Sequence, residues 1–485
     1  MDWFQGGGRN IVSSGVRFGL SVLGKYCGRF SFLLFFHGNI TIFPSPGLLR
    51  LLLLVAIVAV VDSLPPSMAT TTSFGGLVVS LPDIEGALGR IRELGLQETP
   101  VATSETMNRL SGHELFFKCE LFQKTGSFKA RGATNACALL PSGQAVVTHS
   151  SGNHAQAIAF AAKTTGRQAT IVMPRTAPLP KQAATRGYGA AVTLCEPTNA
   201  ARAAGAAAAA EATGGAIVHP SEDPFVIAGQ GTVALELLSQ VAKMRGGDGD
   251  SGAVDNDATS SEDRDPPIDV LVVPIGGGGL ASGCATACKA LWANKVLVIG
   301  AEPAAMDDAF RSKQAGQLLG NDSKPPLATA DTKGTLRSNE PGGQPAKAPM
   351  TTVADGLRTQ LGPNTWPVVR EHVDHILTVE EEDILSATKL VWSRMKLQIE
   401  PSAGVGVAVA LSSPFRDLLS SWQRERSQSG LSTEEEAALK KRKIADESGP
   451  EKLRVGIVLC GGNADPVQLA PLLDSAPPYP KGALV

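Results

Sequence analysis

The stretch VLVVPIGGGGLASGCATACKAL, Val270 to Leu291, reads as a strand, a turn of four glycines and a helix. Similar short β-branched runs alternate with longer helical ones along much of the chain. This alternation is the signature of βα units around a mainly parallel sheet. The fold class is therefore predicted to be α/β, and 485 residues suffice for two domains or one large one.

Three other runs repeat the passage from strand into loop. AVVTHSSGNHAQAIAFAAK has a predicted strand at 145–148 followed by a Ser-Ser-Gly-Asn turn, KVLVIGAEP ends near Glu302, and RVGIVLCGGNAD leads into a loop beginning at Cys460. In open α/β sheets, ligands bind at the carboxyl ends of the strands. We therefore predict that these loops and the glycine turn point to the same face.

The glycine turn, Gly276 to Gly279, permits close backbone approach, and the following helix N-terminus can hold an anion such as phosphate. A Walker loop is excluded because Gly283 is followed by cysteine. Gly276, Gly278 and Ala281 do satisfy the dinucleotide pattern G-x-G-x-x-A, with Glu302 at about the expected distance. A nicotinamide-dependent oxidoreductase therefore stays an alternative, although it leaves the other three loops unexplained.

The overall charge is nearly balanced, with 44 Lys and Arg against 46 Asp and Glu. Nothing in this balance predicts binding to nucleic acid, so a small-molecule partner is expected. The seven cysteines form no C-x-x-C pair and suggest neither a zinc site nor a disulfide framework. A reducing compartment is predicted.

Residues 1–67 differ from the rest: they are basic and end in the apolar run LLLLVAIVAVV, Leu51 to Val61. One interpretation is a signal anchor or organelle-targeting segment, which would allow membrane association if it is retained. The other is an incorrectly extended gene model, with translation starting near Met68 and a cytoplasmic product. Three segments with few large apolar residues, near 245–267, 313–349 and 424–452, are predicted to be disordered inserts.

Lys129 lies in KTGSFKARGATNA, after a turn-forming Thr-Gly-Ser and an aromatic residue. A lysine on a helix is ordinarily a solvated charge. Combined with a phosphate cradle and a Ser-Gly-Asn loop, it suggests an aldehyde cofactor held by its phosphate and linked to the lysine as a Schiff base. The loop from Ser150 to His154 has backbone donors suited to an amino-acid carboxylate, although alone it would be read as a helix N-cap.

Several motifs together resemble one family: ELFQKTGSFKARGA, THSSGNHAQA, EDPFVIAGQGTVALEL, PIGGGGLASG, RMKLQIEPSAGVGVA and the final GGN. They are similar to the serine racemases, within the fold type II pyridoxal-phosphate enzymes that include serine and threonine dehydratases. The resemblance runs from about Ser80 to Pro466 outside the inserts. It implies a two-domain α/β homodimer, with a large cofactor domain at 80–144 and 223–475 and a small domain at 145–222.

The resemblance also implies roles for individual residues. Lys129 would be linked to pyridoxal phosphate and act as the base on one face of the substrate Cα, and Ser151 would exchange the proton on the other face. Phe128 would pack near the cofactor ring, Asn153 would bond its phenolic oxygen, and Gly276, Gly277, Gly278 and Gly279 would hold its phosphate. The substrate would be bound by Ser150, Ser151, Gly152, Asn153 and His154.

Two residues bear on whether racemisation or elimination dominates. Many threonine dehydratases resemble this loop but have alanine in place of Ser151, which favours a racemase with accompanying serine dehydration to pyruvate and ammonia. Cys460 stands where serine racemases have a serine that bonds the pyridine nitrogen, and a thiol is a weaker donor. Mammalian-type serine dehydratases have cysteine there, so a serine/threonine dehydratase without significant racemisation stays the nearest alternative.

Two further sites are implied by the resemblance. Glu302, the carbonyl of Met306 and Asp308 would bind Mg²⁺ or Ca²⁺, whose preferred ligands are oxygens. ATP would bind between subunits as an activator, although Glu105 replaces a serine and would place an anion near the nucleotide. The residues matching ATP positions are Ser104, Lys124, Thr125, Gln156, Tyr188, Lys396 and Asn463.

Overall fold

The computed structural model describes residues 77–177, 179–246, 265–320, 352–428 and 452–485, together with short strands between Ile11 and Phe43. Met1–Thr72 and Ser73–Val485 form separate compact units. The first unit contains the antiparallel pair Ile11–Ser13 and Val16–Phe18, and an antiparallel sheet of Leu20–Ser21, Phe32–Phe36 and Asn39–Phe43. The apolar run 51–61 and most of the three predicted inserts lie outside the described residues.

The second unit alternates strands and helices. The strands are β1 (Val101–Ala102), β2 (Glu114–Cys119), β3 (Val146–His149), β4 (Ala169–Pro174), β5 (Ala191–Cys195), β6 (Ala216–Ile217), β7 (Val270–Pro274), β8 (Leu297–Pro303), β9 (His375–Val379) and β10 (Arg454–Leu459). The helices are α1 (Leu81–Glu93), α2 (Glu105–Ser111), α3 (Lys129–Leu139), α4 (Asn153–Thr164), α5 (Leu179–Gly187), α6 (Asn199–Thr213), α7 (Pro224–Met244), α8 (Gly279–Trp292), α9 (Asp308–Ala315), α10 (Thr365–His372), α11 (Glu381–Leu390), α12 (Pro401–Leu411), α13 (Ser413–Gln428) and α14 (Pro466–Ser475).

The larger sheet has the strand order β9-β8-β7-β10-β2-β1, parallel except for the short edge strand β1. Every residue of β7 and β8 is buried. Helices cover both faces of such a sheet, which is why its central strands are continuous apolar runs rather than alternating ones. The α/β prediction is confirmed.

The smaller sheet is parallel, in the order β5-β4-β3-β6, and its strands all come from residues 146–217. β3 begins and ends one residue later than the predicted strand at 145–148. β7, β8 and β10 share the larger sheet, whereas β3 belongs to the smaller one. The four predicted loops therefore do not line one sheet edge; two sheets contribute them.

α7 is the one helix of the described residues that is long and apolar enough to cross a membrane, but most of it is buried in the protein. Glycines bring it close to its neighbours. A Cβ on Gly229 would lie 2.6 Å from Gly132 Cα in α3, and one on Gly283 in α8 would lie 2.4 Å from the Ile227 carbonyl oxygen. α7 thus acts as a core helix that fixes α3, which begins at Lys129, relative to α8, which begins at the glycine turn.

Candidate active site

The glycine turn leads from β7 into α8, with Gly278 at the N-cap in a left-handed conformation, φ 80°. No side chain caps the first amides of α8, so they are available to an anion. A Cβ on Gly277 would lie 2.5 Å from Ser221 Oγ, and one on Gly276 would lie 2.9 Å from Leu357 Cα. Only glycine fits this tight packing, which leaves backbone N–H groups as the donors.

The Lys129 amine contacts the segment that packs against this turn. Its Nζ donates to the Pro220 carbonyl oxygen at 2.8 Å and lies 5.0 Å from the centroid of the Phe128 ring. The next residue, Ser221, is buried, and its hydroxyl has no hydrogen-bond partner among the described residues. Burial lowers the pKa of Lys129 to about 8, although the Cys460 and Glu400 side chains oppose this shift. The segment 220–221 therefore joins the amine to the glycine turn.

The predicted Ser-Ser-Gly-Asn turn follows β3 and begins α4. Ser150 Oγ accepts from the Gly152 N–H at 3.3 Å, and Ser151 is half-buried in the same turn. His154 Nε2 lies 3.3 Å from the Val218 carbonyl oxygen, whereas its buried Nδ1 has no partner among the described residues. Burial and the nearby Lys129 charge hold the pKa of His154 well below its usual value. The ring is therefore neutral at physiological pH.

Asn153 joins the loops that follow β3 and β10. Its Nδ2 donates to Glu400 Oε1 at 2.9 Å, and its Oδ1 accepts from Asn463 Nδ2 at 2.9 Å. Asn463 Nδ2 also donates to the Thr125 carbonyl oxygen at 2.7 Å. The structure thus brings together Asn153 and Asn463, which sequence analysis assigned to different ligands.

Cys460 follows β10 and is buried beside the lysine segment. Its carbonyl oxygen accepts from the Phe128 N–H at 3.1 Å, and Ser127 pairs with Gly461 in an isolated β-bridge. Burial, reinforced by the charge of Glu400, raises the pKa of Cys460 well above its ordinary value. The side chain is therefore a neutral thiol at physiological pH.

The predicted metal residues already have protein partners. Glu302 accepts from the Ala309 and Phe310 N–H groups, each at 2.9 Å, which caps α9, and Asp308 accepts from the Leu361 N–H at 3.0 Å. Burial raises the pKa of Asp308 to about 6 and that of Glu302 well above its usual value, and Asp308 adds to the latter shift. Among the described residues, no three His, Cys, Asp or Glu side chains form a metal-binding group.

These contacts also weaken the nicotinamide interpretation. Glu302 is only 1% exposed, and both its carboxylate oxygens accept from α9. A dinucleotide enzyme would need this acid to accept hydrogen bonds from the ribose.

The residues matched to ATP positions lie in several places. Thr125 and Lys396 are held in left-handed backbone conformations, φ 62° and 61°, and Thr125 contacts Asn463. Ser104 caps α2 by accepting from the Met107 N–H, and Tyr188 packs edge to face with Phe160. The remaining matched residues are Lys124, which is exposed, and Gln156, which is buried in α4.

These features fit a phosphorylated aldehyde cofactor. The open amides of α8 and the unpartnered Ser221 hydroxyl suit its phosphate, and Lys129 supplies an amine whose lowered pKa favours the neutral form. The family model described as "Pyridoxal-phosphate dependent enzyme" matches residues 92–420, which contain all of these groups. The chain belongs to this family.

Similar proteins include both racemases and a deaminase. Human serine racemase is 42% identical over 393 residues, covering 80% of this chain and 92% of that protein. The crystal structure of serine racemase from Dictyostelium discoideum is 36% identical, covers 80% of this chain and 99% of that chain, and has a TM-score of 0.59. The crystal structure of a threonine deaminase from T.th. has the same four values.

In this pyridoxal-phosphate enzyme the residues of the chain would bind the cofactor and the substrate, orient them, and transfer protons. When bound, the cofactor supplies an electron sink that stabilises negative charge on the substrate Cα. The amides of the glycine turn and the Ser221 hydroxyl would hold the phosphate, and the Ser150–His154 turn would bind the substrate carboxylate. Lys129 Nζ, when neutral, can accept a proton.

Sequence reasoning missed Ser221 and Glu400. Ser221 lies between β6 and α7 in HPSEDPF, where no local pattern marks it. Glu400 stands inside the recognised motif RMKLQIEPSAGVGVA, and an acid within so apolar a segment was a usable signal because a buried carboxylate needs a partner.

Proposed function

We propose that this enzyme interconverts L- and D-serine and also dehydrates serine to pyruvate and ammonia. The observation that carries the proposal is that one site contains the Lys129 amine and the Ser151 turn. Lys129 Nζ donates to the Pro220 carbonyl oxygen at 2.8 Å, and His154 Nε2, three residues beyond Ser151, lies 3.3 Å from the carbonyl oxygen of Val218, two residues before Pro220. Inversion at Cα needs proton exchange on two faces, and these two side chains can supply it. The similarity to human serine racemase supports the same activity.

The competing function is a serine/threonine dehydratase without significant racemisation. Cys460 favours it because a neutral thiol is a weak hydrogen-bond donor in the position where serine racemases have a serine. The similarity to a threonine deaminase is compatible with it. The two functions differ in one product, D-serine.

Replacing Ser151 with alanine is expected to lower D-serine formation by about 10²-fold or more, the usual contribution of a general acid or base. Pyruvate formation should persist within a few-fold, because elimination needs Lys129 on only one face. Chiral analysis of the products from L-serine, with pyruvate assayed on the same samples, measures both. Ser420→Ala, at an exposed position on α13, is the matched control.

Two results would contradict this assignment. Pyruvate without D-serine from the unmodified enzyme would identify a dehydratase. An equal loss of both products in Ser151→Ala would exclude Ser151 as the proton donor on the second face.

We also propose that Glu302, the Met306 carbonyl and Asp308 bind Mg²⁺ or Ca²⁺. The support is that Glu302 and Asp308 are buried acids close enough for Asp308 to raise the pKa of Glu302. A divalent cation would relieve their repulsion.

Added Mg²⁺ or Ca²⁺ is therefore expected to stabilise the protein by about 2.7 kcal/mol at 100 times the dissociation constant. Thermal unfolding with and without the cation measures this effect. Asp308→Asn should lose it, and Asp417→Asn, at an exposed position on α13, should keep it. Equal stabilisation of both variants would place the cation elsewhere.

ATP activation and a homodimer complete the proposal. The contact between Thr125 and Asn463 supports a nucleotide site because two predicted ligands meet there. We propose a cytoplasmic location for a chain starting near Met68. All six cysteines within the described residues are free thiols, which suits a reducing compartment.

A further inference from the structure

Glu400 is a buried acid that immediately precedes α12 and is only 4% exposed. Its own N–H donates to the Gly461 carbonyl oxygen at 3.1 Å, and a Cβ on Gly461 would lie 2.7 Å from Glu400 Oε1. The carboxylate is therefore held tightly against the loop that follows β10. A buried carboxylate must find hydrogen-bond donors, because leaving a charge unpaired away from water is costly.

The Asn153 side chain meets that need. Its Nδ2 lies 2.9 Å from Glu400 Oε1 and 3.2 Å from Oε2. On its other side the Asn153 amide oxygen accepts from Asn463 Nδ2. Both ends of this amide are thus fixed, and the orientation of its N–H groups is determined by Glu400.

The carboxylate also lies beside the lysine segment, because Gly461, whose carbonyl oxygen accepts from the Glu400 N–H, pairs with Ser127 in the isolated β-bridge. When ionised, its charge raises the pKa of Lys129 and that of Cys460. Asp355, whose charge also acts on Glu400, is paired with Lys181 at 2.8 Å. Burial and the nearby Asp355 charge together raise the pKa of Glu400 to about 7, although Asn153 and Lys181 oppose the shift.

We propose that Glu400 is a positioning residue of this enzyme: it orients the amide of Asn153 towards the cofactor and supplies the negative charge that the Lys129 amine faces. This inference rests on the proposed function only in using amino-acid turnover as one of its two measurements. The other measurement is cofactor affinity.

Two variants of the full-length enzyme separate contact from charge. Glu400→Gln keeps the size but removes the charge, and its NH₂ group replaces one of the two oxygens that Asn153 Nδ2 faces. We expect its dissociation constant for pyridoxal phosphate, measured by equilibrium dialysis, to rise about ten-fold, the effect of losing a hydrogen bond to a charged group. A nearby negative charge favours a protonated amine, so its removal should lower the pKa of Lys129 further. The limb of the kcat–pH profile that Lys129 governs should therefore move to lower pH.

Glu400→Asp keeps the charge but shortens the reach to Asn153. Its cofactor affinity should fall, while the same limb of the kcat profile stays at the pH of the unmodified enzyme. A purely structural role would not produce this difference, because a loss of packing would not shift the limb of the kcat–pH profile in Glu400→Gln while leaving it unchanged in Glu400→Asp.

The proposal is overturned if Glu400→Gln binds the cofactor as tightly as the unmodified enzyme, or if the two variants shift the limb equally. Total turnover of L-serine, as D-serine plus pyruvate, is used for kcat. If the unmodified enzyme forms only pyruvate, the proposed racemase function fails while this test still applies. If it forms neither product, the dissociation constants of the two variants for pyridoxal phosphate test the role of Glu400 by themselves.

Discussion

Replacement of Lys129 by alanine is expected to abolish turnover of L-serine and to remove the visible absorbance that pyridoxal phosphate gives when linked to the protein. The loss from the proton-transfer role alone should be about 10² to 10⁴-fold. Folding should be little affected, because the side chain makes its hydrogen bond only to the Pro220 carbonyl oxygen and burial disfavours its charge. Steady-state kinetics, absorbance and circular dichroism measure these three expectations.

The pH dependence of the unmodified enzyme gives a second check on Lys129. Its pKa is lowered to about 8, so roughly one amine in ten is neutral at pH 7 and most are neutral at pH 9. Activity that needs the neutral amine should therefore rise as the pH increases through about 8. Lys163→Ala, on the exposed side of α4, is the control and should keep both activity and absorbance. Cofactor that stays attached to Lys129→Ala after borohydride reduction and denaturation would show that another amine holds it.

The fold was largely predictable from local sequence, because strands buried on both faces must be apolar throughout and their loops need glycine. The runs that became β7 and β8 carry that signal clearly. The division into two sheets was not predictable from the strand patterns. β3 has the same short apolar character as β10, and only the long-range pairing of β3 with β4 and β6 places it in the smaller sheet.

The site was predictable where chemistry leaves a local pattern, as at Lys129 and the glycine turn. Residues that act through contacts with residues far away in the sequence were not predicted. Glu400 bonds Asn153, which lies 247 positions earlier, and Arg131 bonds Glu236, which lies 105 positions later. The sequence around Glu400 or Arg131 does not indicate which buried side chain will become its partner in the fold.

Arg131, two residues after Lys129, is expected to be the largest single contributor to stability among the charged side chains of this segment. It is fully buried and bonds Glu120 through Nε and an Nη at 2.7 and 2.8 Å, and Glu236 through both Nη atoms at 2.9 and 2.6 Å. Arg131→Met would leave Glu120 without its ion-pair partner and Glu236 with Lys118 alone. Removing one partner of a buried ion pair costs about 3–5 kcal/mol, so the free energy of unfolding should fall by that amount in urea denaturation.

The comparison variant is Arg92→Ala, because the ion pair of Arg92 with Glu98 is exposed and should contribute no more than about 1 kcal/mol.

Burial raises the pKa of Glu236, but hydrogen bonds and charge from Arg131 outweigh the effect of burial and hold the pKa below its ordinary value. The stability from this pair is therefore present above the unfolded pKa of glutamate and lost as the pH falls through the lower folded value.

In Arg131→Met, Glu236 loses the cation that favours its ionisation, so its pKa rises and acid conditions relieve its charge. The difference in free energy of unfolding between the unmodified protein and Arg131→Met should thus be largest at neutral pH and become smaller towards pH 4. Adding Glu120→Gln to Arg131→Met should recover part of the loss because it removes one unpaired charge. A loss that is independent of pH and unchanged by Glu120→Gln would show that Arg131 stabilises α3 by packing alone.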